Sequence, residues 1–333
     1  MTTTFAFGLG LSRHSASGAM LDCYFPRPLL NPQGELLDVL SELSPGTQEV
    51  TSDQALAIDH AYGGGLLPTS SPSSNGNLVA VKLDTDDAIN STAEAYLKLH
   101  LLSHRLCLPN SLNLDGIFAH LPNVAWTSAG PVAIDELTDA ISQAHLEGNQ
   151  LEVFAVDKFP KMVNYVVPTG VRIADASRIR LGAYLGEGTT VMHEGFINFN
   201  AGALGPNMVE GRISQGVTLG AGTDLGGSAS TMGTLSGGGN ITISIGENCL
   251  IGANAGTGIP LGDRCTIEAG LYITAGMNIQ LVDENGESLG KVKARELAGK
   301  SDMLFIRDSQ AGNILCRTNR QAIELNELLH QHN

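Results

Sequence analysis

From Ile173 onward a large aliphatic residue stands at every sixth position: Ile173, Ile179, Leu185, Val191 and Ile197. Four positions after each comes a small one: Ser177, Ala183, Thr189, Gly195 and Ala201. A period of six matches neither an α-helix nor an ordinary half-buried strand. It matches a triangular coil, in which each unit forms one short flat face, the aliphatic residue fills the interior and the small residue turns the corner. The pattern returns at Ile213, Leu219 and Leu225, at Ile245 and Ile251, and at Leu261, Ile267 and Ile273, with shifts of register between blocks. It predicts a parallel β-helix over residues 166–280. Cys249 and Cys265 occupy the small position and read as packing residues. The run Ser228–Asn240 breaks the repeat and is expected to leave the coil as a loop, either a flap over a neighbouring site or a disordered insertion.

Residues 1–165 show no such period and read as a separate α/β domain. Thr85-Asp86-Asp87 is expected to cap a helix running to about Cys107, and Ile134–Glu147 to form a second helix closed by Gly148. Leu78–Leu83 and Leu151–Val156 read as strands, and Ser70–Asn77 as a loop. His100 and His104 stand four apart on the first helix and could chelate a metal on one face, but Leu-Leu-Ser between them lacks the glutamate of a metalloprotease, so metal binding is not expected. Residues 281–333 form an extension, with a hairpin turn at Asp283–Gly286 and a short helix around Gln321–His330.

Composition narrows the function. Forty glycines and few aromatics suit repeated tight turns, and a formal charge of −15 opposes general nucleic-acid binding. Between Lys291 and Arg320, however, seven basic residues face three acidic ones, a place to hold an anionic small molecule. Five cysteines without paired spacing indicate a reducing cytoplasm, and no stretch is apolar enough to span a bilayer.

Ionisable residues are few in the coil. Glu210 and Arg212, two apart, are expected on one strand and one face, as a base beside an anion anchor or as a surface ion pair; spacing alone favours the ion pair. Around them run Val191-Met-His-Glu-Gly-Phe-Ile-Asn-Phe-Asn-Ala-Gly, Met208-Val-Glu-Gly-Arg-Ile-Ser, Gly233-Thr-Leu-Ser-Gly-Gly-Gly and Val292-Lys-Ala-Arg-Glu-Leu. With these motifs the chain from about Val167 to its end resembles the tetrahydrodipicolinate N-succinyltransferase family, in its actinobacterial and pseudomonad form.

The resemblance implies a left-handed coil, against the usual crossover handedness, and a cytoplasmic homotrimer with sites between neighbouring coils. The implied reaction moves the succinyl group of succinyl-CoA to the amino group of tetrahydrodipicolinate, as 2-amino-6-oxopimelate, in lysine and diaminopimelate biosynthesis. Glu210 matches the family's catalytic glutamate, which either removes the amine proton or first accepts the acyl group as a mixed anhydride. Arg212 would hold a substrate carboxylate. The donor would touch Gly227, Ser230, Ala253, Glu268, Ala269, Gly276, Lys293, Ile306, Arg307, Asp308 and Ser309. Glu194 matches a ligand for Mg2+ on the trimer axis, but Ser177 stands where a second, acidic ligand is expected, with Asp175 displaced by two positions. The rival readings are an acetyl-transferring coil enzyme, a coil-built carbonic anhydrase and a trimeric scaffold; the anhydrase needs three histidines where the coil has His193 alone.

Overall fold

The computed structural model describes residues 4–67, 77–236, 241–283 and 285–318. Two compact units result: the chain up to Cys107 with Ser111–Val166, and Leu108–Asn110 with the chain from Val167 onward.

The first unit is built on an antiparallel sheet in the order Met20–Tyr24, Ala6–His14, Asn77–Leu83, Gly46–Glu49, with Leu29–Leu30 paired to one end of Ala6–His14. The helix Thr92–Ser103 lies against it and is buried from Ala93 to Ser103. This helix starts later than expected, at the cap Ser91, whose hydroxyl accepts from the Glu94 amide at 3.1 Å. Asp86, expected in a cap, instead takes the buried Lys98 ammonium at 2.6 Å and the Asn113 amide at 2.8 Å. The second predicted helix is Leu137–Leu146, shorter at both ends than expected. A smaller sheet joins Gly130–Ala133, Val124–Thr127 and Val153–Asp157. The loop expected at Ser70–Asn77 lies outside the described residues except for Asn77, which opens a strand.

His100 is fully buried and neutral: Nδ1 donates to the Tyr96 carbonyl at 2.7 Å and Nε2 accepts from the Phe25 amide at 3.3 Å. Both ring nitrogens are thus committed, and burial pushes its pKa down to about 3.

The second unit is a parallel coil of three faces. The first face stacks Arg172–Ile173, Thr190–Val191, Met208–Val209, Asp224–Leu225, Leu250–Ile251 and Thr266–Ile267. The second stacks Phe196–Ile197, Arg212–Ile213, Ser230–Thr231, Gly256–Thr257 and Tyr272–Ile273. The third stacks Tyr184–Leu185, Gly202–Ala203, Thr218–Leu219 and Ser244–Ile245. The predicted aliphatic residues from Ile179 to Ile273 fill the interior, together with Ala203, Val209, Thr231 and Thr257, which the aliphatic template missed. The two threonines are tolerated because their hydroxyls donate to buried carbonyls, Thr231 to Arg212 at 3.1 Å and Thr257 to Ile259 at 2.7 Å. Because Thr231 keeps its place inside, the excursion expected from Ser228 begins only after Thr231; its described part turns back through the bridge Thr234 to Thr242. Cys249 and Cys265 are buried free thiols, as the repeat predicted.

The extension continues the first face. Met303–Arg307 pairs in parallel with Thr266–Ile267, and the hairpin Asn278–Val282 with Ser288–Lys293 follows through Ile314–Thr318. The bidentate pair of Arg264 and Asp302, at 2.6 and 2.9 Å, ties the extension to the coil. The helix expected around Gln321–His330 lies outside the described residues.

Candidate active site

The site grows from one irregular corner. Passing from the first face to the second takes six positions from Val191 to Ile197 and six from Leu225 to Thr231, but only four from Val209 to Ile213. The corner at Glu210-Gly211 is therefore two residues short, and lies recessed between the longer corners on either side. Gly211 permits this close approach, because a Cβ there would run into the Ala229 carbonyl. The backbone of Glu210 is held by its amide to the Leu225 carbonyl at 2.8 Å and by its carbonyl, which accepts from the Ser228 amide at 3.2 Å.

This corrects the expectation that Glu210 and Arg212 share a strand. Glu210 lies in the turn after Met208–Val209, whereas Arg212 opens the next face. They form no ion pair; Arg212 Nη2 donates instead to Ser230 Oγ at 2.6 Å. The six-residue period concealed this, since the two-residue deletion falls between them.

The Glu210 carboxylate reaches toward Gly227 on the next corner. A Cβ built on Gly227 would lie 3.6 Å from Glu210 Oε2 and 3.8 Å from Glu194 Oε2, so the space over this glycine is flanked by two carboxylates. Ser228, at φ +58°, donates from Oγ to Glu194 Oε2 at 3.3 Å. Arg178 pins the corner that carries Glu194, donating to the carbonyls of Glu194 at 2.7 Å and Gly195 at 3.2 Å. His193 Nε2 lies 4.0 Å from Glu194 Oε1, but both side chains are exposed and the pair adds little. Among the described residues no three His, Cys, Asp or Glu side chains converge to hold a metal ion within one chain.

The remaining expected donor residues fall in two places. Gly227, Ala253 and Ala269 line successive turns of this same corner; Asn254 N donates to the Gly227 carbonyl and Gly270 N to the Ala253 carbonyl, both at 2.8 Å. Their small or absent side chains keep the ridge low. At its end Glu268 Oε2 accepts from the Arg307 amide at 2.7 Å, which brings Ile306 and Arg307 beside it, and Asp308-Ser309 into the turn that follows. Gly276 lies apart, past the second face, where its carbonyl accepts from Lys293 Nζ at 3.1 Å. Sequence reasoning missed two neighbours there. Ser236, in the excursion, accepts from the Ala275 amide at 2.6 Å, and the Arg295 amide donates to the Ala275 carbonyl at 3.1 Å. A serine in a glycine-rich run carries no periodic signal; Arg295 was visible only as one charge of the basic segment.

Cys265 of the coil and Cys316 of the extension are both buried. The hydrogen bond with Cys249, and then burial, pushes the Cys265 thiol well up, and burial pushes Cys316 up to about 12, so neither supplies a thiolate near neutral pH.

Comparison with known proteins agrees with this architecture. A family model described as the hexapeptide repeat of succinyl-transferase matches residues 242–275, and one described as the middle part of tetrahydrodipicolinate N-succinyltransferase matches residues 121–161. The chain is 55% identical to a 2,3,4,5-tetrahydropyridine-2,6-dicarboxylate N-succinyltransferase of Pseudomonas putida, with 99% of each chain covered. It is 51% identical to the protein of that name from Vibrio cholerae, again with 99% of each covered. A crystal structure of a Campylobacter jejuni protein, described as a putative 2,3,4,5-tetrahydropyridine-2-carboxylate N-succinyltransferase, superposes with a TM-score of 0.85 at 29% identity, covering 97% of this chain and 94% of that one. The fold is an N-terminal α+β unit followed by a left-handed parallel β-helix. With full-length relatives above half identity and a coil that carries the repeat, the chain belongs to the tetrahydrodipicolinate N-succinyltransferase family.

Proposed function

We propose that the short corner is where this enzyme transfers the succinyl group of succinyl-CoA to the amino nitrogen of ring-opened tetrahydrodipicolinate, the step of lysine and diaminopimelate synthesis that its relatives' names describe. An amine that is mostly protonated at neutral pH must lose a proton before it attacks a thioester. Glu210, whose carboxylate borders the open space over Gly227, takes that proton. The nitrogen then bonds to the succinyl carbonyl carbon, the carbon–sulfur bond breaks, and CoA leaves as its thiol with the proton that Glu210 held. Arg212 holds a substrate carboxylate, for which a guanidinium offers paired donors.

The donor runs along the low ridge of Gly227, Ala253 and Ala269, past Ser230 and Glu268 to Ile306, Arg307, Asp308 and Ser309. Lys293 at Gly276 and Arg307 meet the phosphate charges of CoA. The same reading makes the enzyme a homotrimer, and its free thiols suit a reducing cytoplasm; among the described residues no helix is long and apolar enough to cross a membrane.

A magnesium ion on the trimer axis fits these residues poorly. Ser177, at the position expected to be acidic, spends its hydroxyl on Asp175 Oδ1 at 2.6 Å, and a serine is a weak ligand for a hard cation. No step depends on it.

The observation that carries the reading is the convergence of Glu210 on the space over Gly227. Thiol release from succinyl-CoA and from acetyl-CoA, each with and without the cyclic acceptor, tests it. Acceptor-dependent release confined to succinyl-CoA is expected, and Glu210→Gln should reduce it by about a hundredfold or more while CoA still binds. Near-normal turnover in the variant removes Glu210 from the chemistry, and a preference for acetyl-CoA reassigns the substrate.

A further inference from the structure

The second face of the coil carries a column of outward side chains, and the strand register orders it without ambiguity. Arg212 pairs with Ser230, Ser230 with Gly256, and Gly256 with Tyr272. Successive rungs of a sheet stand about 4.8 Å apart, so the arginine and the tyrosine start three rungs, roughly 14 Å, from each other. Both side chains close that gap. The Arg212 guanidinium reaches one rung up the column to Ser230 Oγ, at 2.6 Å. The Tyr272 ring folds one rung down: a Cβ placed on Gly256 would overlap its Cδ2 and Cε2 atoms, so the ring occupies the place that any other residue at 256 would fill. Gly256 has no positive φ to explain its identity; the tyrosine ring and the Ser230 carbonyl, both of which a Cβ would strike, do.

The guanidinium thus lies at Ser230 and the tyrosine ring over Gly256, on adjacent rungs of one column. Tyr272 is only half-buried, and its phenol has no hydrogen-bond partner among the described residues. Arg212 is exposed and bonded through one nitrogen to a neutral hydroxyl, which leaves its charge uncompensated by any carboxylate in the described part of the chain. A guanidinium in contact with a serine hydroxyl, with a phenol carried by the same column and Glu210 two residues before the arginine, supplies the donors that an anion of carboxylate size needs.

We infer that Tyr272, folded over Gly256 toward Ser230 and Arg212, completes a carboxylate-binding notch on the second face and is a specificity-determining residue of the transfer. The inference rests on the succinyltransferase reading for its place in the reaction, but the notch itself rests on the column. Two substrate groups have the required chemistry: the free carboxylate of the succinyl chain and a carboxylate of the amine acceptor. If the notch takes the former, it distinguishes succinyl-CoA from acetyl-CoA. If it takes the latter, it orients the amine toward Glu210.

The test is calorimetric titration of wild type and Tyr272→Phe with succinyl-CoA, acetyl-CoA and pimelate, the last a seven-carbon dicarboxylate standing in for the acceptor. The substitution keeps the ring over Gly256 and removes only the hydroxyl. A hydrogen bond to a charged group is worth about a tenfold change in affinity or more. A loss of that size for succinyl-CoA, with acetyl-CoA unchanged, places the donor carboxylate in the notch; the same loss for pimelate alone places the acceptor there. Unchanged affinity for both carboxylate ligands overturns the proposal, as does an equal loss for succinyl-CoA and acetyl-CoA. A lowered melting temperature without any change in these ratios identifies the phenol as a structural group, and also overturns it. Because the titrations need no turnover, failure of the succinyltransferase reading would show separately, as wild-type protein without acceptor-dependent thiol release.

Discussion

The two units share apolar cores but differ in buried charge: among the described residues the coil buries Asp224 and the polar Asn207, the N-terminal unit five Asp, Glu, Lys or His side chains. The coil fills its interior with aliphatic side chains, cysteines and threonines, and leaves Glu210, Arg212, Glu194 and Lys293 at its surface or corners. The N-terminal unit buries Asp22, Lys82, Glu94, Lys98 and His100. Lys98 donates to Asp86 Oδ1 and to the carbonyls of Asp87 and Asn113, each at 2.6 Å, so a single ammonium fastens two loops to one helix. Asp22 is gripped by Arg13 and by the Tyr165 hydroxyl. The contrast has a physical origin. A repeat satisfies most of its backbone through the stacked ladder of the next coil, and buried Thr189, Asn207 and Thr223 close what the ladder leaves open at one corner, whereas an irregular domain must satisfy each loop individually with specific polar partners.

The difference can be broken or sharpened by experiment. Lys98→Met should be the most damaging change, removing about 3–5 kcal/mol from the N-terminal unit, because it strands the Asp86 carboxylate and two carbonyls. Trp126, the chain's only tryptophan, lies in that unit, so its fluorescence reports the loss. The far-ultraviolet transition of the coil should stay in place, and a joint collapse of both signals would erase the contrast.

Acid should act in the same direction and more gradually. Folded His100 stays neutral down to about pH 3, whereas in the unfolded chain it protonates near its ordinary value of 6.5. The unfolded state therefore binds the extra proton as pH falls from 6.5 toward 3, and stability is lost across that window, by an amount on the order of a few kcal/mol. His100→Gln should flatten this part of the Trp126 profile; an unchanged slope would assign the acid sensitivity to other groups.

The smallest effect belongs to the coil's surface. Lys293→Ala should raise the Michaelis constant for succinyl-CoA about fivefold, the size expected of one exposed charge contact, leaving the acceptor's constant and both unfolding transitions unchanged. An equal rise in both constants would take Lys293 away from the donor.

The coil was legible at the level of individual residues because its signal is repeated. Ile179 through Ile197 predicted their own burial, and Cys249 and Cys265 were read as packing residues from the same template. Legibility stopped where the period was interrupted. Thr231 and Thr257 fill interior positions that a search for aliphatics passes over, so the expected excursion starts four residues too early. In the N-terminal unit the strand Asn77–Leu83 was visible as an apolar run, but the start of the helix at Thr92 was not. Asp86 has the chemistry of a cap, and only the position of Lys98, twelve residues on, shows that it is a buried partner instead.

By itself the sequence determined the coil, the aliphatic residues inside it and the chemical identity of Glu210 and Arg212, since all of these follow from local period and side-chain type. Tertiary structure alone decided that the two are parted by a corner, that Glu210 and Glu194 flank the space over Gly227, and that the Tyr272 ring lies over Gly256. The reason is that the short corner absorbs the missing residues: the next strand keeps its register, with Ile213 over Ile197, so the repeat on either side gives no sign that Glu210 has moved into a turn.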